Sequence, residues 1–215
     1  MRQSFINGEK VETGLGEIEI VSELGKGKSG FSFKAIHNNK EVVLKVMHNE
    51  SAPYYSFNKN KVILETNAYE LLERLGAPVP ELLYSNIEEN YLIKNYVHGK
   101  TGSDWIIQDS ENEIIIKQLF EISKKLESHK INIDYFPSNF VIDNDRLYYI
   151  DYEVNNYDPE WSFLNWGIYY WANREGFTKF MKEGDATAIN VDVDKGQPHK
   201  EPFREIVNTW IQKYL

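Results

Sequence analysis

The sequence predicts an α+β chain in two lobes, a strand-rich N-terminal part carrying one helix and a mainly helical C-terminal part carrying one short hairpin. Three observations predict it. The first third alternates apolar and polar residues; residues 61–75 switch to helical spacing; and two helical runs in the second half flank the segment VIDNDRLYYID.

In the first lobe, residues 17–24 (EIEIVSEL) and 31–36 (FSFKAI) alternate, and residues 41–47 (EVVLKVM) form a third, β-branched run. Asn38-Asn39 marks a hairpin turn, because Asn tolerates positive φ. The helix expected at residues 61–75 (KVILETNAYELLERL) should stop at Gly76, with Pro78 and Pro80 just beyond. Strands are expected at residues 81–87 and 91–97. The lobe boundary should fall within residues 97–102, where His98-Gly99-Lys100-Thr101-Gly102 is polar and rich in glycine. This gives an N-lobe of residues 1–97 and a C-lobe of residues 98–215, with a ligand cleft expected between them. In the C-lobe, helices are expected at residues 113–129 and 159–175, and the hairpin should turn at Asp143-Asn144-Asp145. Trp161, Trp166 and Trp171, with Phe163, Leu164, Ile168 and Tyr169, read as the core face of the second helix.

Composition narrows the function classes. The chain has 215 residues, enough to bury a core, with 41% hydrophobic and 14% aromatic residues. It has no cysteine, which excludes a disulfide framework, a thiolate metal site and a cysteine nucleophile. The net charge of -9, from 33 acidic and 24 basic residues, argues against nucleic acid or an anionic membrane as the partner. No apolar run is long enough for a signal peptide or a membrane span, so a soluble, cytoplasmic protein is expected.

Four features carry chemistry. Residues 24–35 (LGKGKSGFSFKA) hold glycines at 25, 27 and 30, followed by an alternating strand. A dinucleotide fingerprint would open a helix and place an acidic residue about 20 positions on. Here Lys45 stands 20 residues after Gly25, so a glycine flap that covers phosphates with backbone N–H groups fits better. Lys45 itself sits in an apolar strand, where a buried ammonium needs a partner. Glu65 on the following helix is the preferred carboxylate, ahead of Glu70 and Glu73. Finally, residues 133–153 (IDYFPSNFVIDNDRLYYIDYE) place Asp134 and Asn139 five apart, then Asp151 at the end of an apolar strand. Phosphoryl transfer needs a carboxylate to orient a hydroxyl and oxygen ligands to hold Mg²⁺. Asp134 fits the first role; Asn139 and Asp151 fit the second. Asp143 and Asp145 read as turn formers. Residues 190–201 resemble a calcium loop only until Lys195, at the required glycine position, and Pro198.

Taken together over residues 24–153, these motifs resemble the protein-kinase-like superfamily. The likeness is to its small atypical branch, similar to RIO kinases and the KEOPS-complex kinase, and also to aminoglycoside and choline phosphotransferases. The resemblance implies a reduced bilobal kinase fold that binds ATP with Mg²⁺. It implies Gly25, Gly27 and Gly30 as the phosphate loop, Lys45 and Glu65 as the ion pair, and Asn95, Tyr96 and Val97 as the nucleotide-binding hinge. Asp134 would be the catalytic base, with Asn139 and Asp151 as metal ligands. The implied activity is transfer of the γ-phosphate to a hydroxyl, by a serine/threonine-type protein kinase. A small-molecule kinase is the alternative, and a nucleotide-binding pseudokinase scaffold the second alternative. The sequence also departs from the family pattern. Asn132 stands where a His is usual, Phe136 where protein kinases carry Lys, and Asp151-Tyr152-Glu153 where they carry Asp-Phe-Gly. Only 64 residues follow Asp151, without an Ala-Pro-Glu motif.

Overall fold

The computed structural model describes residues 1–48, 60–109 and 113–215, and the chain divides into two compact units. The first comprises Met1–Arg74 and Val79–Val97; the second comprises Leu75–Pro78 and His98–Leu215.

The first unit contains a six-stranded antiparallel sheet and one helix. In chain order the elements are β1 (Lys10–Thr13), β2 (Gly16–Lys26), β3 (Gly30–His37), β4 (Lys40–Met47), α1 (Lys61–Arg74), β5 (Leu82–Asn86) and β6 (Tyr91–Asn95). The sheet order is β1-β2-β3-β4-β6-β5. Asn38 and Asn39 adopt φ of 48° and 61°, the two positive values a tight two-residue hairpin demands, between the paired ends His37 and Lys40. Alternation builds the core: Ile18, Ile20, Phe33, Ala35, Val42, Leu44, Val46, Tyr91 and Ile93 pack as one cluster. Helix α1 buries Val62, Glu65, Ala68, Tyr69 and Leu72, a stripe at helical spacing that includes one carboxylate. Asn60 accepts hydrogen bonds from the Val62 and Ile63 amides and so caps the start of this helix. The last expected strand is shorter than its apolar pattern: pairing stops at Asn95, so Tyr96 and Val97 lie beyond it.

The second unit is mainly helical. It contains β7 (Lys100–Thr101), α2 (Gly102–Asp109), α3 (Ile114–Ser128), β8 (Ile131–Asn132), β9 (Phe140–Asp143), β10 (Arg146–Tyr149), β11 (Asn155–Asn156), α4 (Ile168–Ala172), α5 (Arg174–Glu183), β12 (Asn190–Asp192), β13 (Gln197–Pro198) and α6 (Arg204–Tyr214). The β9–β10 hairpin turns on Asn144 and Asp145, at φ 48° and 62°. Strand β7 joins its other edge, and Gly99 is required there because a Cβ would run into the Ile142 carbonyl. Helix α2 was not expected from the sequence. It starts on a capping exchange in which Thr101 accepts from the Asp104 amide and donates to the Asp104 carboxylate.

The expected single helix over residues 159–175 is a correction. The segment instead runs as a 3-10 turn (Pro159–Trp161), a π-helical stretch (Phe163–Gly167), α4 and then α5. Two side chains break it. Ser162 accepts from the Asn165 amide, and Asn173, in a non-helical conformation, accepts from the Gly176 amide to start α5 afresh. Trp166 and Trp171 are buried as expected, whereas Trp161 remains 37% exposed. Helix α6 was also unforeseen; its buried face carries Val207 and Trp210.

Candidate functional site

In the first unit the candidate residues gather where β2, β3, β4 and α1 meet. Strand β4 lies inside the sheet, between β3 and β6, so Lys45 cannot reach water by leaning off an edge. It is 6% exposed, as is Glu65, and its Nζ lies 2.6 Å from Glu65 Oε1. A buried pair of this kind requires good geometry and extra hydrogen bonds to offset desolvation. Ser29 Oγ supplies one, donating to the same Glu65 oxygen at 2.7 Å. Of the two rival carboxylates, Glu73 accepts instead from the Tyr69 hydroxyl at 2.7 Å.

The glycine segment is the β2–β3 connection, and it is strapped down at each of its three middle residues. Gly27 N–H donates to the Gly30 carbonyl, and the His48 ring bonds the Gly27 carbonyl at 3.1 Å. Lys61 Nζ donates to the Lys28 carbonyl at 3.3 Å and to the His48 carbonyl at 2.6 Å. The His48 amide donates to the Ser29 carbonyl. The three glycines have different reasons to be there. A Cβ on Gly30 would sit 2.5 Å from the Val46 carbonyl, so the sheet itself demands that glycine. At Gly27 a Cβ would meet only the Gly30 carbonyl oxygen, at an ordinary 3.9 Å, whereas at Gly25, with φ of 153°, nothing lies within 4 Å of a Cβ, so open space remains there. A bare backbone with room above it is what close approach to a phosphate requires.

Farther along the same sheet, Asn95 pairs with Val42, and both its amide and its side chain donate to Glu81. The Tyr96 amide donates to the Glu41 carbonyl, and Lys34 Nζ lies 4.4 Å from the Tyr96 ring centre. Val97 follows, half-buried.

In the second unit, Asp134, Asn139 and Asp151 come from the start and end of one β-hairpin and the turn before it. Asp134 accepts from the Phe136 amide at 2.9 Å, an Asx-type turn that leads into the 3-10 turn at Pro137–Asn139. The Asn139 side chain donates to the Asp134 carbonyl at 3.4 Å. Ile150 N–H donates to the Asn139 carbonyl at 2.9 Å, which adds a rung beyond the Phe140–Tyr149 pair. That rung puts Asn139 and Asp151 at the same end of the hairpin. All three polar residues are half-buried above a floor of fully buried Tyr135, Phe140, Tyr149 and Tyr152. Trp171 Nε1 donates to the Tyr135 carbonyl at 2.9 Å and fixes the segment next to Asp134. Asp143 and Asp145 occupy the opposite, turning end of the hairpin, as expected.

The two departures before Pro137 have structural roles. Asn132 is buried and donates to the Asp158 carbonyl at 3.4 Å. Phe136 packs edge-on against Tyr170 at 5.0 Å and lies 5.7 Å from Phe177, so an aromatic wall stands beside Asp134. Burial, then the neighbouring Asp134 charge, raises the Tyr170 phenol well above its ordinary range and keeps it protonated.

The donor set around Asn139 and Asp151 is all oxygen, which suits Mg²⁺; no group of three or more His, Cys, Asp or Glu able to hold a metal occurs among the described residues. Such a small set fits Mg²⁺ better than an all-protein cage, because Mg²⁺ keeps waters and takes phosphate oxygens. Among the described residues no helix is long and apolar enough to cross a membrane.

Sequence reasoning missed three residues that brace the glycine segment: Ser29, His48 and Lys61. Ser29 is visible only as a polar loop residue. The signal at His48 and Lys61 is a polar side chain at the end of an apolar strand and one at the start of a helix, and neither pattern says which backbone it meets.

No family model matches the chain, and no curated protein matches its sequence. Among solved structures it is similar to that of vaccinia related kinase 3, at 12% identity and a TM-score of 0.46, over 74% of this chain and 55% of that one. The chain therefore spans little more than half the length of that protein.

Proposed function

We propose that the chain is a kinase-like, ATP-dependent phosphotransferase of the small atypical type resembled by RIO kinases, acting on a protein hydroxyl. The observation that carries this reading is the Lys45–Glu65 pair, 2.6 Å apart between a central strand and α1, beside a glycine connection with open space at Gly25. A buried ammonium paired with a carboxylate is a costly arrangement for structure alone, and such a pair can present a cation to α- and β-phosphates.

In this reading Gly25, Gly27 and Gly30 form the phosphate flap, and Asn95, Tyr96 and Val97 bind the base. Asp134 orients the acceptor hydroxyl and receives its proton as the oxygen attacks the γ-phosphorus, the bond to the β–γ bridging oxygen breaks and ADP leaves with that electron pair. Asn139 and Asp151 would hold Mg²⁺, which supplies charge neutralisation between phosphate oxygens when bound. The test is transfer of labelled γ-phosphate to the chain itself or to a protein partner in the presence of Mg²⁺. Transfer that disappears in Asp134→Ala and Asp151→Asn is expected. Full transfer by Asp151→Asn, or none by the unaltered chain, contradicts the reading.

One observation favours a second acceptor class. Phe136, packed into an aromatic wall, leaves no lysine at that position to steady the moving phosphate, and Asp151-Tyr152-Glu153 is nearer to small-molecule phosphotransferases. ATP turnover on a panel of hydroxylated small molecules, with no turnover on protein, would select that class. Nucleotide binding without turnover on either would select a scaffold.

A further inference from the structure

A phosphate that is to meet Lys45 must reach an ammonium that is 6% exposed. The first unit offers one line of approach. Gly25 pairs with Ser32, and Ser32 pairs with Lys45, so the three stand on one rung of the sheet, and residues opposite one another on a ladder share a face. A Cβ at Gly25 would meet nothing within 4 Å, so the rung is open at that end. Neighbouring strands lie about 4.8 Å apart, which puts the open end roughly 10 Å from Lys45. At the other end Ser29 Oγ and Lys45 Nζ converge on a single atom, Glu65 Oε1, at 2.7 and 2.6 Å. Two donors that share an acceptor at such distances lie roughly 4–5 Å apart, so the hydroxyl stands against the ammonium.

The serine bond is not the one that satisfies Glu65. A carboxylate has acceptor sites on both oxygens, yet both donors crowd Oε1 while Oε2, also buried, accepts no hydrogen bond from the described residues. Nor does the bond alone hold the loop. The Ser29 carbonyl accepts from the His48 amide, and the Lys28 carbonyl accepts from Lys61 Nζ. The half-buried Ser29 side chain can therefore leave Glu65 by rotating about χ1 while its backbone stays pinned, a motion between staggered wells. The Lys45–Glu65 pair survives that rotation intact.

We propose that Ser29 is a latch on the anion approach to Lys45: its bond to Glu65 keeps the ammonium covered, and a phosphate group reaches Lys45 when the hydroxyl swings away. The consequence for nucleotide binding rests on the phosphotransfer reading, whereas the cover over Lys45 does not. A ligand that binds only the unlatched population has its affinity reduced by the fraction that is latched.

The experiment acetylates the folded full chain with acetic anhydride, maps the modified lysines by mass spectrometry, and measures pyrophosphate binding by calorimetry. It compares the unaltered chain with Ser29→Ala and Ser29→Thr. In Ser29→Ala, Lys45 should react roughly fivefold faster relative to the exposed Lys40, while the buried Lys94 keeps its rate. Pyrophosphate should bind that variant roughly fivefold more tightly, because no latched population competes. Ser29→Thr keeps a hydroxyl and should match the unaltered chain in both measurements. An unchanged Lys45 rate in Ser29→Ala overturns the inference. So does pyrophosphate binding to Ser29→Ala that is equal to or weaker than that of an unaltered chain which binds it. Faster reaction at Lys94 also overturns it, because Ser29 would then support the fold, as does a Ser29→Thr variant that behaves like Ser29→Ala. If none of the three chains binds pyrophosphate or ATP but Lys45 alone is uncovered in Ser29→Ala, the latch stands and the phosphotransfer reading fails.

Discussion

In the first unit Lys45 and Glu65 hold each other, and the glycine connection is hung from the same carboxylate through Ser29. In the second unit the Phe136 amide donates to the Asp134 carboxylate, and the Asn139 side chain donates to the Asp134 carbonyl. Backbone bonds at the hairpin end and an aromatic floor of Tyr135, Phe140 and Tyr149 place them, with Trp171 bonded to the Tyr135 carbonyl. The difference teaches what each group is exposed to. A charge pair in a dry interior is lost as a whole when either half goes, because the survivor is buried without compensation. Side chains held by packing and backbone bonds give way by degrees. It also separates exposure: Lys45 and Glu65 are each 6% exposed, whereas Asp134, Asn139 and Asp151 are half-buried.

The sharpest way to break this contrast is Glu65→Ala, which removes the carboxylate 2.6 Å from the buried Lys45 ammonium. Breaking a buried pair by removing one partner costs roughly 3–5 kcal/mol, so a denaturant melt should show a loss of that order. The double variant Lys45→Met with Glu65→Leu should recover most of the stability without recovering nucleotide binding. A double variant as unstable as the single one would show that the pair is a structural necessity. Next in size is Trp171→Phe, which removes the hydrogen bond to the Tyr135 carbonyl and leaves a small void. A loss of about 1–3 kcal/mol is expected, measured in the same melt. No measurable loss would mean that Trp171 does not fix the Asp134 segment.

How much of this was legible in the sequence follows the same division. Five of the six strands of the first unit could be read, because alternation with Asn38-Asn39 at a turn is a local signal; the short edge strand β1 was missed. Lys45 and Glu65 could be paired because a lysine in an apolar strand has few tolerable partners. The second unit was read less well. The break at Asn173 is made by a side chain capping the next helix, and the start of α2 by Thr101 and Asp104. Both devices use ordinary polar residues that also occur in loops. The spacing of Asp134, Asn139 and Asp151 was visible in the sequence.

A smaller effect is expected from Ser29→Ala, which removes the hydrogen bond to Glu65 but leaves the ion pair. A stability loss of about 1 kcal/mol should accompany faster exchange of the loop amides. Unchanged loop exchange would mean that His48 and Lys61 hold the segment without Ser29. The smallest effect lies far from the candidate residues, at Glu113. Its carboxylate accepts from Lys213 at 2.5 Å and from the Tyr214 hydroxyl at 2.7 Å, and fastens the end of α6. The Lys213 hydrogen bond, then that of Tyr214, lowers its pKa below 4.5. A depressed folded value means the stabilisation is complete above the unfolded value and fades as pH falls through the folded one. Acid titration below about pH 4.5 should therefore loosen α6, followed by Trp210 fluorescence, and Glu113→Gln should flatten that part of the curve. An unaltered curve would remove Glu113 from the account.

The central proposal is that this chain binds Mg-ATP. The most direct measurement is thermal unfolding with ATP, with and without Mg²⁺, for the unaltered chain, Lys45→Met and Asp151→Asn. Ligand at about 100 times its dissociation constant adds roughly 2.7 kcal/mol. A clear rise in melting temperature for the unaltered chain is predicted, dependent on Mg²⁺ and lost in both variants. An unaltered chain whose melting temperature does not move with Mg-ATP would contradict the account.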